Sequence, residues 1–432
     1  MDLERSSTIG RRDFLKTTAG LGAAAVTGSF LGGSFGTAQG NDKLRIGLIG
    51  CGGRGNGAAH QACEAGGEQM EVYALGDLFQ DRVTGAFNSL KGRGAQFNVT
   101  PERCFTGFDA YEKVLATGVN YVILATPPGF RPVHFKAAIE AGAHVFMEKP
   151  VAVCPTGIRQ MLEMGKVATE KKLGVVAGTQ RRHQRSYVET IKRLHGGAIG
   201  KILAMQVYWN QGGLWSHSHD DHKDWSDVEW QIRNWLYFTW VSGDHICEQH
   251  VHNLDVANWV LQNHPTDVVC LGGRQSRTEP RFGHIYDHFA ADFNYPDGVK
   301  VLSMCRQVDG CENNVSEFAI GSEGVSGPGG WIRGKENYNH KGDEDPDAYV
   351  QEHRDLIESI RAGTPLNETQ QVSESTLCAI MARMSAYTGK KVTWDWVLNE
   401  SKLDLLSRAR DLADFGDLAV DEVAIPGKTP LV

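Results

Sequence analysis

Arg45-Ile-Gly-Leu-Ile-Gly50-Cys-Gly52-Gly53-Arg54-Gly55 decides the fold. A short apolar run enters a glycine-rich turn, and a small-residue stretch suited to a helix follows. A second apolar run, Val72-Tyr-Ala-Leu-Gly-Asp77, ends in an acid. A glycine turn alone is a weak signal; between a strand and a helix, with an acid about 20 residues on, it reads as a dinucleotide-binding fingerprint. Gly50, Gly52 and Gly55, with Gly53 and Arg54 between them, are expected to lie against a pyrophosphate facing the free N–H groups of the helix start. Asp77 is expected to accept hydrogen bonds from the adenosine ribose. Its carboxylate would repel a 2′-phosphate, so tightly bound NAD is expected rather than NADP.

Further along the chain, strand patterns at Leu44–Ile49, Met70–Leu75, Tyr121–Ala125 and His144–Met147 alternate with helical stretches such as Tyr111–Thr117 and His134–Ala141. Continuous apolar strands separated by helices predict a doubly wound parallel sheet, a Rossmann domain over residues 43–166. A further step ending in Gly174-Val-Val-Ala-Gly178 extends it. After Thr179 the strands alternate in polarity, at Ile202–Trp209, His288–Tyr295 and Val299–Arg306, the last two joined by Pro296-Asp297-Gly298. They predict a C-terminal α/β domain over 167–396, built on a large open, mainly antiparallel sheet. Tyr349–Ala362 and Ser375–Thr388 read as amphipathic helices, Gly212–Asp227 and Gly324–Asp347 as long loops, and 397–432 as a tail that packs back.

The 432 residues suit two domains, and their net charge of −8, with no basic block beyond the first 20 residues, argues against nucleic acid as a partner. Gly10-Arg11-Arg12-Asp13-Phe14-Leu15-Lys16 resembles the twin-arginine export motif. A weakly apolar stretch from Thr18 to Phe35 and the small residues Gly36-Thr37-Ala38 follow it. Residues 1–38 therefore read as a signal peptide for the twin-arginine machinery, and the stretch is too poor in Leu, Ile and Val for a transmembrane span. The nine cysteines form no CxxC. Export through this route in the folded state predicts mostly free, buried thiols, with Cys305 and Cys311 the one close pair.

Thr126-Pro127-Pro128 ends the Tyr121–Ala125 strand where such crevices bind ligands. Glu148-Lys149-Pro150 closes a buried strand at the same edge. A desolvated ammonium at 149 can lower the pKa of a substrate hydroxyl and steady a developing alkoxide. In Gly243-Asp-His245-Ile-Cys-Glu248-Gln-His250-Val-His252-Asn-Leu-Asp255, a helix would put residues 245, 248, 252 and 255 on one face. His252 is then a candidate acid/base and Glu248 its tuning partner. Neither this run nor His217-Ser-His219-Asp-Asp-His222 has a closed zinc spacing, so no metal is expected. The 217–222 run reads as a polar loop near substrate.

These motifs, with Ala125-Thr126-Pro127, Thr179-Gln180-Arg181-Arg182 and Thr388-Gly-Lys-Lys-Val-Thr-Trp394, resemble the glucose–fructose oxidoreductase, inositol dehydrogenase and MocA family over about residues 43–396. The resemblance implies an enzyme whose open C-terminal sheet forms homo-oligomer contacts. Lys149 and His252 are its implied catalytic pair, with Glu248 where many members carry a substrate-holding Asp. It places Thr126, Pro127, Glu148 and Gln180 at the cofactor, and Arg182 and Asp255 at the substrate. Asn210, Arg233, Trp235 and Tyr237 supply polar groups and stacking aromatics that suit a polyol. The implied activity is NAD-dependent oxidation or reduction of a secondary hydroxyl on a sugar, sugar acid or cyclitol. Without a free NAD pool outside the cytoplasm, the cofactor would travel bound. That leaves open a redox-neutral glycosidase or lyase, and a non-catalytic NAD-binding protein as the third reading.

Overall fold

The structure, a computed structural model, describes residues 43–343 and 345–432. The signal-peptide expectation for residues 1–38 lies outside them.

Six strands form the first sheet: β1 (Leu44–Ile49), β2 (Met70–Asp77), β3 (Cys104–Thr106), β4 (Tyr121–Leu124), β5 (His144–Met147) and β6 (Val175–Ala177). All pair in parallel, in the order β3-β2-β1-β4-β5-β6. The strand order reverses between β1 and β4, and ligands of open α/β sheets bind outside the carboxyl ends at such a point. Gly50 follows β1 and Thr126 follows β4 there. The boundary expected at 166 falls inside the helix Pro155–Glu170, and β6 lies beyond it.

The second sheet uses β7 (Ile202–Gln211), β8 (Asp267–Gly273), β9 (His288–Asn294), β10 (Lys300–Gln307), β11 (Asn314–Gly321), β12 (Gly324–Gly327), β13 (Trp331–Arg333), β14 (Tyr338–Asn339) and β15 (Val392–Thr393). Their order is β14-β13-β12-β11-β7-β10-β9-β8-β15. The pairing is antiparallel except at β7–β10, which is parallel. One face is covered by the helices Val251–Leu261 and Thr369–Thr388, the second buried nearly all round. Side chains from both sheets merge there into one apolar core, from Val122 and Met147 to Val207, Phe293 and Val301.

Two expectations are corrected. The Gly324–Asp347 stretch is not a long loop: β12 to β14 fold back on one another and extend the sheet. The 243–255 segment is not one helix. It breaks at Gln249–His250 into His245–Glu248 and Val251–Leu261, because His252 N–H turns to the Gln249 carbonyl three residues back. The expectation of mostly free, buried thiols agrees with the structure: all nine are free, and of the close pair Cys305 is buried in β10 while Cys311 is exposed in the turn beyond.

Candidate active site

A cavity of about 780 Å³ opens at the carboxyl ends of β1, β2, β4 and β5 and continues to the second sheet's helices. Its glycines divide by cause. Gly50 has φ +97°, and a methyl group there would stand 2.5 Å from the Thr126 nitrogen. One on Gly55 would stand 1.9 Å from the Gly50 carbonyl oxygen, so the helix Gly53–Gly66 sits directly on the turn. At Gly52 and Gly53 a methyl group meets nothing within 4 Å. No side chain caps this helix, so its first N–H groups face open space. That cradle fits a dinucleotide pyrophosphate. Asp77 fits the ribose: its carboxylate accepts from Cys51 N (2.6 Å) and Phe79 N (3.0 Å), and burial pushes its pKa up.

Thr126, Pro127, Glu148 and Gln180 also line the cavity. Arg131, buried to 1% exposure, ties the ends of β4 and β5 by donating to the carbonyls of Thr126 (2.6 Å) and Glu148 (3.0 Å). Arg54 does not reach freely toward phosphate. Its guanidinium pairs with Glu148, donates to Gln61 (2.7 Å) and pairs with the fully buried Glu352 (3.1 Å). Gly178 leaves room for Glu148, since a methyl group there would stand 2.5 Å from Oε2.

Lys149, Glu248 and His252 meet at the second sheet's side of the cavity. The break at Gln249 frees the Glu248 carbonyl from helical bonding, and Lys149 Nζ donates to it at 2.5 Å; Glu248 Oε1 lies at 3.5 Å. The Lys149–Pro150 peptide is cis. The His252 ring stacks on Trp209 at 5.7 Å and 21°, and its Nδ1 has no partner. Burial, then the positive charges of Lys149, Arg181 and Arg54, hold its pKa well below the ordinary value. Both effects favour the neutral imidazole. Behind the stack, Arg181 lies over Trp209 and pairs with Glu317, which also accepts from Asn253 (2.7 Å). Sequence reasoning missed Trp209, Arg131 and Glu352. Only the alternation of β7, which turns Trp209 inward with Val207, signals any of the three.

Of the expected substrate contacts, Arg233 and Trp235 line the cavity. Arg233 is already paired with Asp81 (3.0 Å) and Glu229 (2.8 Å). The other four lie elsewhere. Arg182 and Asp255 form a bidentate pair at 2.8 and 2.9 Å, with Ser375 adding a hydrogen bond, so they tie elements together outside the cavity. Tyr237 is fully buried and donates to the Trp215 carbonyl (2.9 Å). Asn210 follows Trp209 on β7 and points to the opposite face. His245 does not line the cavity and is bound to Asp244 (2.9 Å). Among the described residues no cluster of His, Cys, Asp and Glu could hold a metal ion, and no helix is long and apolar enough to cross a membrane.

Comparison with known proteins adds to this geometry. Inositol 2-dehydrogenase 4 of Saccharopolyspora erythraea is 27% identical over 243 residues, 56% of this chain and 60% of that protein. The 2,7-anhydro-N-acetylneuraminate hydratase of Escherichia coli is 26% identical over 42% of this chain and 44% of its own length. The chain thus spans 60% or less of these curated relatives. A solved levoglucosan dehydrogenase, in complex with NADH and levoglucosan, shares the fold with a TM-score of 0.64 at 16% identity, over 82% of this chain and 99% of that one. Residues 8–28 match the twin-arginine translocation pathway signal sequence, which marks an exported protein without a membrane-spanning helix among the described residues. Residues 44–178 match the oxidoreductase family with an NAD-binding Rossmann fold and 187–325 the GFO/IDH/MocA C-terminal domain; the chain belongs to the GFO/IDH/MocA oxidoreductase family.

Proposed function

We propose that this protein oxidises or reduces a secondary hydroxyl of a sugar, sugar acid or cyclitol after export, using an NAD molecule it carries with it. The observation behind this reading is that Lys149, bound to the Glu248 carbonyl, and His252, stacked on Trp209, line the same cavity as the glycine cradle. NAD would supply the hydride acceptor. His252 takes the hydroxyl proton, since an uncharged imidazole has a free lone pair. Lys149, held by the Glu248 carbonyl, donates to the substrate oxygen and stabilises its negative charge. Trp209 keeps the imidazole plane fixed during the transfer. The Asp77 carboxylate favours NAD over NADP. Denaturing release of nucleotide followed by mass spectrometry is expected to give NAD; mainly NADP, or none, overturns this assignment. A screen of sugars and cyclitols is expected to yield net reduction of the bound cofactor.

The hydratase relative supports a second reading, in which hydride leaves and returns and the net reaction is lysis or hydration. A changed or cleaved sugar with no net NADH selects it. We also propose that a second copy of the chain covers the open face of the second sheet. Val269 (47% exposed), Leu271 (73%) and Met304 (36%) stand outward there, in adjoining rows.

A further inference from the structure

The loop between β7 and the helix Asp227–Arg233 carries more structure than a polar connection needs. The Trp215 carbonyl accepts from the fully buried Tyr237 hydroxyl (2.9 Å). Two residues on, His217 N–H donates to the fully buried Asn234 (2.9 Å), and the His217 carbonyl accepts from Trp230 Nε1 (2.9 Å). The backbone on both sides of Ser216 is therefore anchored to the core. Yet the Trp215 indole is 48% exposed, and it lines the cavity together with His217 and Trp235. The Trp215 and His217 rings lie 5.4 Å apart, and His217 meets the edge of Trp225, whose face is covered by His222 at 3.8 Å and 2°. A rigid aromatic shelf is thus held open at the cavity wall. A large indole left half in water gains free energy once a ligand covers it.

The charges around the shelf restrict what that ligand is. Arg233, the cation beneath it, is neutralised by Asp81 and Glu229. The loop itself exposes Asp220, Asp221 and Asp224 against one cation, Lys223, and Arg82 on the cavity wall lies 3.8 Å from Asp81. The carboxylates there outnumber the cations, so a phosphate, nucleotide or uronate would meet a net negative wall. A neutral pyranose suits it: its C–H face covers an indole, and its hydroxyls reach the imidazole edge.

We propose that Trp215 and His217 form a subsite for a second, uncharged sugar ring, so that the substrate class is a neutral disaccharide or longer glycoside. This rests on the reading of the same cavity as a carbohydrate oxidoreductase, deepened to substrate length. The test uses NAD-loaded protein and a panel of maltose, cellobiose, lactose and their monosaccharides, with glucuronic acid and glucose phosphate as charged comparators. Binding is read by calorimetry and turnover by NADH. At least one disaccharide is expected to bind about tenfold more tightly than its monosaccharides, the size of one well-packed aromatic contact. Trp215→Ala should erase that preference, and Trp215→Phe should keep most of it. No disaccharide preference in the unmodified protein overturns the subsite. So does a preference untouched by Trp215→Ala, tighter binding of the charged comparators, or a Trp215→Ala protein that has lost NAD. A Trp215-dependent preference without any cofactor reduction or sugar conversion keeps the subsite and overturns the oxidoreductase reading instead.

Discussion

The two sheets reach the same cavity in opposite ways. The first is covered on both faces, and it presents chemistry at its strand ends: Gly50 after β1, Asp77 at the end of β2, Glu148 and Lys149 after β5. The second is covered on one face, and its contributions come from a helix packed on that face: Glu248 and His252 flank a break, and the strand residue Trp209 only supports His252 from behind. A parallel sheet thus fixes functional positions by backbone topology, whereas the open sheet supplies a floor and leaves the chemistry to what rests on it.

Removing the chemical groups should break that pairing most severely. Lys149→Ala is expected to lower turnover by about 10²–10⁴, the range for one positioned acid/base or electrostatic group. Bound NAD, measured by mass spectrometry, should stay at one equivalent, because the cradle is elsewhere. His252→Ala should cost a similar factor, and the double variant little more than the worse single one, since the two act as a unit. Additive losses would mean that the two sheets contribute independent functions.

The cradle offers a sharper contrast between steric and open glycines. Gly55→Ala puts a methyl group 1.9 Å from the Gly50 carbonyl oxygen and should abolish NAD binding and lower Tm clearly. Gly53→Ala meets no atom within 4 Å, so it should leave Tm nearly unchanged and weaken only the nucleotide. Equal Tm losses by the two variants would defeat this division.

For the open face, Leu271→Glu should shift the protein towards monomer in sedimentation experiments while sparing NAD content, because the residue is 73% exposed and outside the cavity. An unchanged assembly would show that copies do not meet there.

The smallest effect concerns pH. Burial lowers His134 and His250 to about 3 and His144 to about 4. The unfolded chain takes up these protons near pH 6.5, so it binds more protons than the folded one below that value, and stability falls as pH drops from about 6.5 towards 4. His183 acts with the opposite sign. Burial alone would lower it, but the hydrogen bond to Asp355 and the Glu368 carboxylate 3.4 Å away raise it to about 10. Its contribution is complete below pH 6.5 and lost as pH rises through 10. Thermal melts across pH should show both limbs; a flat acid limb contradicts the neutral burial of these histidines.

The first sheet was largely legible because its signals are local. Continuous apolar runs, glycine spacing and terminal acids sit within a few residues of one another, and β1 and β5 begin and end where expected. The second half was less legible because its determinants are contacts between distant segments. A helical pattern over 243–255 gave no sign that the chain breaks at Gln249. Arg182 and Asp255 read as site residues because their motifs adjoin the site, but each satisfies the other's charge away from the cavity. Asn210 and Trp209 are neighbours in sequence on opposite faces of one strand. The ring of Tyr237 suits a sugar, whereas its hydroxyl works as an anchor for the Trp215 loop.

The break at Gln249 has a consequence for how such a site can diverge. Lys149 is held chiefly by a main-chain oxygen, which every amino acid possesses. The side chain at 248 is therefore released from the duty of holding the lysine, and substitutions there can retune what the cavity accepts without displacing the ammonium. The Glu at 248 can therefore give way to another side chain at little risk to the held lysine. Substrate choice and the placing of the lysine are thus separable at one residue, because one belongs to the side chain and the other to the backbone.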